Sequence, residues 1–291
     1  MRWLITGADG QLGRSIADEL SGRYQDKRML SRAQLDITDS EKIDQIFSQF
    51  QPDIVVNAAA WTNVESAEDS PELANLVNAA GAGFIAENCK RYDSRLIQIS
   101  TDYVFSGNSR TPWYEDSLRS PLSVYGKSKL MGEDEVVRIY PESTLILRTA
   151  WLYSKYGNNF VQKIVSKALD QHSKINVVAD QVGQPTCAKD LALRIIQIAE
   201  SNVIKGRFHA TNGGETSWYL LAVKIFKLLG EDVSRINAVP TALLNQKAVR
   251  PKYSALGHEN WKNVGFEPMR NWEIALESSM AEILDSVKGE L

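Results

Sequence analysis

Two apolar rhythms alternate along the first half of this chain. Short unbroken runs occur at Trp3-Leu4-Ile5-Thr6, Asp53-Ile54-Val55-Val56-Asn57-Ala58-Ala59 and Arg95-Leu96-Ile97-Gln98-Ile99-Ser100. Their length and continuity predict strands covered on both faces, as a parallel sheet requires. Lys27–Leu30 and Thr144-Leu145-Ile146-Leu147-Arg148 predict two more strands. Between them, apolar residues recur every three or four positions. Leu12, Ile16 and Leu20 share one face of a helix over 11–20, and Ile43, Ile46, Phe47 and Phe50 mark another, capped by Thr38 or Asp39. A long helix is expected over 71–92, and a further one carries Tyr125 and Lys129 after a Pro/Ser-rich loop. Regular alternation of strand and helix predicts an α/β fold, a doubly wound parallel sheet of Rossmann-like type with right-handed crossovers.

The rhythm loosens after residue 150. Polar loops appear at Gln181-Val182-Gly183-Gln184-Pro185-Thr186 and Thr211-Asn212-Gly213-Gly214-Glu215, and helices are expected near 159–171, 189–200, 217–230 and 272–287. This predicts a dinucleotide-binding domain over 1–150 and a smaller C-terminal substrate-binding lobe over 151–291. The boundary is soft, since segments of the second part can return to the first sheet. No internal repeat or low-complexity linker interrupts the chain.

Composition narrows the class without naming it. The 291 residues are 43% hydrophobic and 24% charged, the balance of an ordinary globular protein. A net charge of −3 supplies no basic surface for nucleic acid or an anionic membrane, and pairs such as Lys90-Arg91 read as solvated helix faces. Two cysteines, Cys89 and Cys187, exclude a disulfide framework, and no Cys/His cluster has metal-site spacing. A cytoplasmic location is expected from this cysteine usage. The start, Met1-Arg2-Trp3-Leu4-Ile5-Thr6-Gly7, reads as a strand entering a turn rather than a signal peptide, and no run reaches the length of a membrane span.

The chemistry begins at that turn. Gly7, Gly10 and Gly13 form G-x-x-G-x-x-G between a strand and a helix. Gly7 suits a tight turn, Gly10 lets backbone approach a pyrophosphate, and Gly13 permits close helix–strand packing. The helix N-terminus adds free N–H groups and partial positive charge. The spacing differs by one residue from the commonest dinucleotide fingerprint. Asp9, inside the loop, is expected to bond loop N–H groups. Selectivity between nicotinamide cofactors rests at the tip of the second strand. There Met29-Leu30-Ser31-Arg32 has no Asp or Glu for a ribose diol, whereas Arg32 or Arg28 suits a 2′-phosphate. NADPH is therefore the expected cofactor, with NADH left open.

Tyr125 and Lys129 stand four apart in Ser123-Val124-Tyr125-Gly126-Lys127-Ser128-Lys129-Leu130, on one face of a helix. A neighbouring ammonium favours phenolate, so the Tyr125 pKa is expected below its reference near 10. Thr101, in Ser100-Thr101-Asp102-Tyr103-Val104-Phe105, ends a strand where ligands of such sheets sit. Its hydroxyl is placed to bond the oxygen that Tyr125 protonates.

Together, Gly7-x-x-Gly10-x-x-Gly13, Asn57-Ala58-Ala59-Ala60, Ser100-Thr101-Asp102-Tyr103-Val104-Phe105 and Tyr125-Gly126-Lys127-Ser128-Lys129 resemble the extended short-chain dehydrogenase/reductases. With Arg148-Thr149-Ala150-Trp151, Gly157-Asn158-Asn159-Phe160, Asp180-Gln181-Val182-Gly183-Gln184-Pro185-Thr186 and Arg250-Pro251, the likeness is greatest to the dTDP-4-dehydrorhamnose reductase branch, over residues 1–260. The resemblance implies Tyr125 as general acid, Lys129 on the nicotinamide ribose and Thr101 polarising the ketone. It implies Gly10, Gln11 and Leu12 around the pyrophosphate, Asp36 and Ile37 beside the adenine, and Ala60, Trp61 and Thr62 beside the nicotinamide. Thr101, Asp102 and Trp151 would touch the deoxyhexose, while Gln184 and Arg250 would approach the nucleotide. The implied reaction is NAD(P)H-dependent reduction of the C4 ketone of dTDP-4-dehydro-β-L-rhamnose to dTDP-L-rhamnose.

Some members of that branch are magnesium-linked dimers using carboxylates near the first helix. Here that helix opens Gly13-Arg14-Ser15-Ile16, and neither Glu19 nor Asp190 marks a hard-cation site, so no metal is expected and monomer and homodimer both stay open. Two other readings also stand. Another extended nucleotide-sugar enzyme is one, although a dehydratase would need an Asp-Glu pair where Asp102-Tyr103 stands. A non-catalytic NADP-binding regulatory subunit, like the partner of methionine adenosyltransferase, is the other, and it would need no Thr101, Tyr125 and Lys129 set.

Overall fold

The computed structural model describes residues 1–170, 172 and 174–290; Gln171, the predicted end of the 159–171 helix, lies outside the described residues, as do Ser173 and Leu291. The chain opens β1 (Trp3–Thr6), α1 (Gln11–Leu20), β2 (Lys27–Leu30), α2 (Ser40–Phe50) and β3 (Ile54–Asn57). All of β1 and β3 is buried, which is why those segments read as unbroken apolar runs. Asp39 rather than Thr38 caps α2, its carboxylate accepting from the Lys42 N–H at 3.0 Å. The predicted 71–92 helix is broken up. Short α3 (Val64–Asp69) precedes α4 (Pro71–Asn75), then a π-helical segment covers Leu76–Gly81 and α5 (Ala82–Arg91) completes the run.

The sheet continues with β4 (Arg95–Thr101), followed by α6 (Val124–Ile139) and β5 (Thr144–Thr149). Beyond lie β6 (Leu152–Tyr153), α7 (Phe160–Leu169), β7 (Ile175–Val178), β8 (Val182–Gly183), β9 (Thr186–Cys187), α8 (Ala188–Ala199) and β10 (Gly206–His209). The last part holds β11 (Thr216–Ser217), α9 (Trp218–Leu229), β12 (Ile236–Val239), α10 (Glu259–Asn263) and α11 (Trp272–Glu290).

Six strands form one sheet in the order β10-β5-β4-β3-β1-β2, every neighbouring pair parallel. The fold is thus α/β with a doubly wound parallel sheet. One face is covered by α1 and α8, through Leu12, Ile16, Leu20, Leu191, Ile195 and Ile196. The other is covered by α2, α5 and α6, through Ile43, Phe47, Ile85, Cys89 and Val136. A separate core joins α7, α9 and α11 around Val165, Ile225, Phe226, Leu276 and Ile283. Among the described residues no helix is long and apolar enough to cross a membrane.

A sheet that switches direction between β1 and β3 leaves a crevice beyond the strand ends. Polar side chains stitch those ends together. Thr6 Oγ1 donates to Asn57 Oδ1 at 2.6 Å, and Asn57 Nδ2 donates to Gln98 Oε1 at 2.8 Å. Behind β4 and β5 lies a full ion pair with no exposure on either side chain. Arg148 donates to both oxygens of Glu133 on α6, through Nε at 2.8 Å and Nη2 at 2.7 Å. Burial would raise the Glu133 pKa, but Arg148 and the Ser100 hydroxyl, donating at 2.6 Å, hold it below the usual carboxylate range. His209 on β10 is buried beside the same guanidinium and pushed well below its ordinary pKa by burial and then by Arg148. Its neutral ring donates from Nδ1 to Gly257 O at 2.9 Å and accepts from Arg148 at Nε2.

Removing one partner of such a pair leaves a charge in the interior. Arg148→Met should lower stability by about 3–5 kcal/mol at neutral pH. The loss should shrink as pH falls and Glu133 takes up a proton, because an unpaired buried carboxylate has its folded-state pKa raised. Urea unfolding across pH measures this, and a pH-independent loss below 1 kcal/mol would contradict it.

Candidate active site

Gly7 is the first constraint on the site. It has φ +68°, and a Cβ there would stand 2.7 Å from Ala59 N and 2.8 Å from Ala58 C, so only glycine lets the first loop pass under the end of β3. Gly10 then N-caps α1 with no side-chain hydrogen bond, which leaves the first-turn N–H groups open to an anion. Asp9 makes no hydrogen bond to loop N–H groups among the described residues and is exposed at the cleft edge, contrary to expectation.

Helix α6, which carries Tyr125 and Lys129, starts under equally tight control. The Ser123 hydroxyl caps α6 by accepting the Gly126 N–H at 3.1 Å, and Glu68 on α3 accepts the Val124 N–H at 2.8 Å. A Cβ on Gly126 would lie 2.4 Å from Tyr103 O, so glycine at this position lets α6 seat directly on the turn after β4. That seating brings Tyr125 beside Tyr103, ring centroids 5.5 Å apart and edge-on.

A cleft of about 640 Å³ runs from the glycine loop to this point. It collects Gly7, Gly10, Gln11, Leu12, Gly13, Arg32, Asp36, Ile37, Ala60, Trp61, Thr62, Thr101, Asp102, Tyr125, Lys129 and Trp151, every residue expected at the site except Arg28, Gln184 and Arg250. Gln184 is buried elsewhere, bonded to Leu256 and Thr211. Arg250 pairs with Glu65 at 2.6 Å and bonds the Tyr103 phenol. Arg28 lies over the Phe50 ring, 4.7 Å from its centroid, whereas the Arg32 side chain is 79% exposed and only loosely paired with Asp36 at 3.4 Å. A second cleft, about 740 Å³, is larger but holds none of the sequence motifs. It contains Glu19 and Asp190, and Asp190 is already bound by Arg270 at 2.7 Å and 2.8 Å. No group of three or more His, Cys, Asp or Glu is placed to hold a metal among the described residues.

The electrostatics correct one expectation. Burial pushes the Tyr125 pKa up to about 12, Asp102 adds to the rise, and a hydrogen bond from Thr101 opposes it. Burial draws Lys129 down to about 8, with Glu133 opposing, and its ammonium donates to Ile99 O at 2.7 Å. Desolvation dominates, opposed by Thr101 rather than by Lys129, so at neutral pH the phenol keeps its proton rather than becoming phenolate. Asp102 is buried as well and rises to about 6, although Ser254 and Thr101 hydrogen bonds resist the shift.

The structure adds contacts around the cleft that spacing alone did not show. Trp151 has φ +45°, a strained setting for an aromatic residue, and stacks on Trp218 at 3.5 Å. Trp218 packs in turn on Phe160, at 4.5 Å. Asn159 donates to the Gln11 side chain at 3.0 Å, tying the start of α7 to the glycine loop. Asn78, in the π-helical segment, accepts the Trp61 N–H at 2.8 Å and donates to Trp61 O at 3.0 Å and Ser128 Oγ at 2.9 Å. Glu133 was the most legible of the missed residues, since Tyr125, Lys129 and Glu133 succeed one another at four-residue steps on one helix face.

The chain matches the model of the family described as the RmlD substrate binding domain over residues 1–284. It is 42% identical over 282 residues to a dTDP-4-dehydrorhamnose reductase of Streptomyces griseus, covering 96% of this chain and 92% of that protein. It is 41% identical over 276 residues to a dTDP-4-keto-6-deoxy-D-glucose reductase of Streptomyces niveus, covering 94% and 95%. Its fold superimposes with a TM-score of 0.93 on a dTDP-4-dehydrorhamnose reductase of Bacillus anthracis in complex with NADP, at 37% identity over 97% of this chain and 99% of that one.

The Asn78 clamp has a measurable consequence of its own. Asn78→Ala strips buried partners from both backbone groups of Trp61 and should cost about 1–3 kcal/mol. Equilibrium urea unfolding reads it, and an unchanged midpoint would show that water replaces the amide freely.

Proposed function

The chain belongs to the RmlD substrate binding domain family, and we propose that it reduces the C4 ketone of dTDP-4-dehydro-β-L-rhamnose to dTDP-L-rhamnose with NADPH. One observation carries this reading. The Thr101 hydroxyl, the Tyr125 phenol and the Lys129 ammonium line the same cleft as the glycine loop. The relatives' names supply the sugar class, and the NADP complex of the Bacillus anthracis protein supports the cofactor.

The residues fit a dinucleotide. The uncapped start of α1 and the Gly7 turn make a cradle that side chains would fill. Gly10, Gln11, Leu12 and Gly13 would hold the pyrophosphate, Asp36 and Ile37 the adenine side, and Arg32 a 2′-phosphate. Ala60, Trp61 and Thr62 would wall the nicotinamide, and Lys129 would hold its ribose. When bound, the nicotinamide supplies a hydride to the ketone carbon. As the C=O π electrons move onto oxygen, Thr101 donates a hydrogen bond to it and Tyr125 transfers its phenolic proton. A phenol held up to about 12 keeps that proton ready throughout the neutral range. The resulting phenolate is stabilised by Lys129, which carries its charge below about 8. Trp151 and Trp218 would give the sugar an apolar wall. In this reading residues 1–150 bind the dinucleotide and 151–291 form the substrate lobe, with α8 and β10 returning to the first sheet. Both cysteines are free and buried, which suits the cytoplasm.

Tyr125→Phe removes the acid and keeps the ring. Single-turnover oxidation of NADPH should slow by about a hundred- to ten-thousand-fold while NADPH still quenches protein fluorescence. Near-normal turnover would sink the assignment. The same assay with dTDP-4-keto-6-deoxy-D-glucose, the sugar in the Streptomyces niveus relative's name, should show a lower kcat/KM than with dTDP-4-dehydrorhamnose; the reverse order would reassign the substrate. Arg32→Ala should raise the KM for NADPH roughly tenfold and leave that for NADH alone, as loss of a charge-assisted hydrogen bond does. Equal effects on both cofactors would remove Arg32 from 2′-phosphate recognition.

A further inference from the structure

The Thr101 hydroxyl has a single proton and two lone pairs. One lone pair accepts the Tyr103 N–H at 3.2 Å. Its oxygen also lies 3.0 Å from Asp102 Oδ1 and within hydrogen-bonding reach of the Tyr125 phenol. If Asp102 is ionised, it can only accept, so it takes the Thr101 proton and leaves none for a ketone. If Asp102 is protonated, its O–H donates to the second Thr101 lone pair, and the Thr101 proton is free to point into the cleft. Both arrangements satisfy the groups at Thr101, but only the second leaves its proton free for a ketone.

The surroundings of Asp102 favour that arrangement. The residue is 2% exposed, and although the Ser254 and Thr101 hydroxyls face its carboxyl group, no hydrogen bond of ordinary geometry reaches Oδ2 among the described residues. A buried, half-solvated carboxylate costs several kcal/mol, whereas the neutral acid does not. Among the described residues no cation is bonded to Asp102. It faces the phenols of Tyr103 and Tyr125, the Ser254 hydroxyl, and, lining the same cleft, Lys129. Arg250 approaches only the Tyr103 phenol and is paired with Glu65 of α3.

We propose that Asp102 is a positioning residue that works as a neutral acid, donating to Thr101 so that the Thr101 hydroxyl can donate to the reacting ketone oxygen. This rests on the reductase reading above. The upward shift of the Asp102 pKa, to about 6 from burial, agrees with it. The proposal carries a pH signature with a definite sign. The working form is the protonated one, present below the Asp102 pKa and lost as pH rises through it.

The test is the pH profile of single-turnover NADPH oxidation with dTDP-4-dehydrorhamnose. Wild-type enzyme should lose rate on an alkaline limb of about tenfold per pH unit. In Asp102→Asn the amide donates permanently to Thr101. Relative to its own maximum, that variant should hold its rate through the neutral range, where wild type already falls, and keep only the decline above about 8 that Lys129 sets. Ser254→Ala removes a donor to the Asp102 carboxylate, so its limb should move to higher pH. Slow turnover of Asp102→Asn at every pH would instead show that an ionised carboxylate is needed, and would overturn the proposal. So would an alkaline limb unchanged in Asp102→Asn, or a Ser254→Ala limb that stays in place. Wild-type enzyme inert towards both sugars sinks the reductase reading itself and this inference with it.

Discussion

Between β5 and α6 two full charges meet without water, Arg148 holding both carboxylate oxygens of Glu133. The chain spends its most expensive desolvation at this point, and the geometry explains why the pair survives. The Glu133 carboxylate also accepts from Ser100 on β4, and the Arg148 guanidinium also donates to Glu115 O and reaches neutral His209 on β10. Three neighbouring strands and α6 are therefore joined at one node. Such pairs contribute less to net stability than to specificity of arrangement. Here the arrangement fixes the rotation of α6, and one turn back from Glu133 on the same face lies Lys129, two turns back Tyr125.

Burial also governs the chemistry. In water, a lysine beside a tyrosine would draw the phenol pKa down. In this cleft both are desolvated, so the phenol rises, the ammonium falls and a carboxylic acid approaches neutrality. Each shift favours the uncharged form, as low dielectric demands. Ketone reduction needs donors; Tyr125 and Thr101 carry donor protons, and Asp102 would do so in its neutral form, below about 6. In a wet site Asp102 would be a carboxylate at neutral pH, an acceptor only. Burial, helped by the close seating of α6 on Tyr103, is thus what keeps Tyr125 a proton donor.

The fold was legible because its strands are short and buried on both faces, so β1, β3 and β4 appear as unbroken apolar runs that polar turns interrupt. The glycine loop was legible because it is local. The long helix over 71–92 was read as regular because nothing in Leu76-Val77-Asn78-Ala79-Ala80-Gly81 looks helix-breaking; its π turn is imposed by Asn78 reaching Trp61 and Ser128, contacts separated by 17 and 50 positions. The direction of the Tyr125 shift was misread for a related reason. Spacing shows which groups are neighbours, but burial is a tertiary quantity, and at this site it dominates. Trp218 carried no signal at all, because an aromatic residue at a helix start is ordinary until Trp151 is seen stacked against it.

Trp151 connects these points. It follows the end of β5, whose register is held by Arg148, and its φ of +45° turns the chain away from the sheet. A backbone in that region costs of order 1–3 kcal/mol and persists only where the surroundings fix it. Here they do so on two sides, since its ring is sandwiched between Trp218 and Gly183, where a Cβ would stand 2.7 Å from the indole. The strained residue therefore sits where the strand that anchors the acid-bearing helix hands over to the elements around α7 and α9. A sugar lying against the Trp151–Trp218 pair would touch both parts of the molecule at once. Trp151 would then place it beside the strand whose register Arg148 and Glu133 tie to α6, the helix that carries Tyr125.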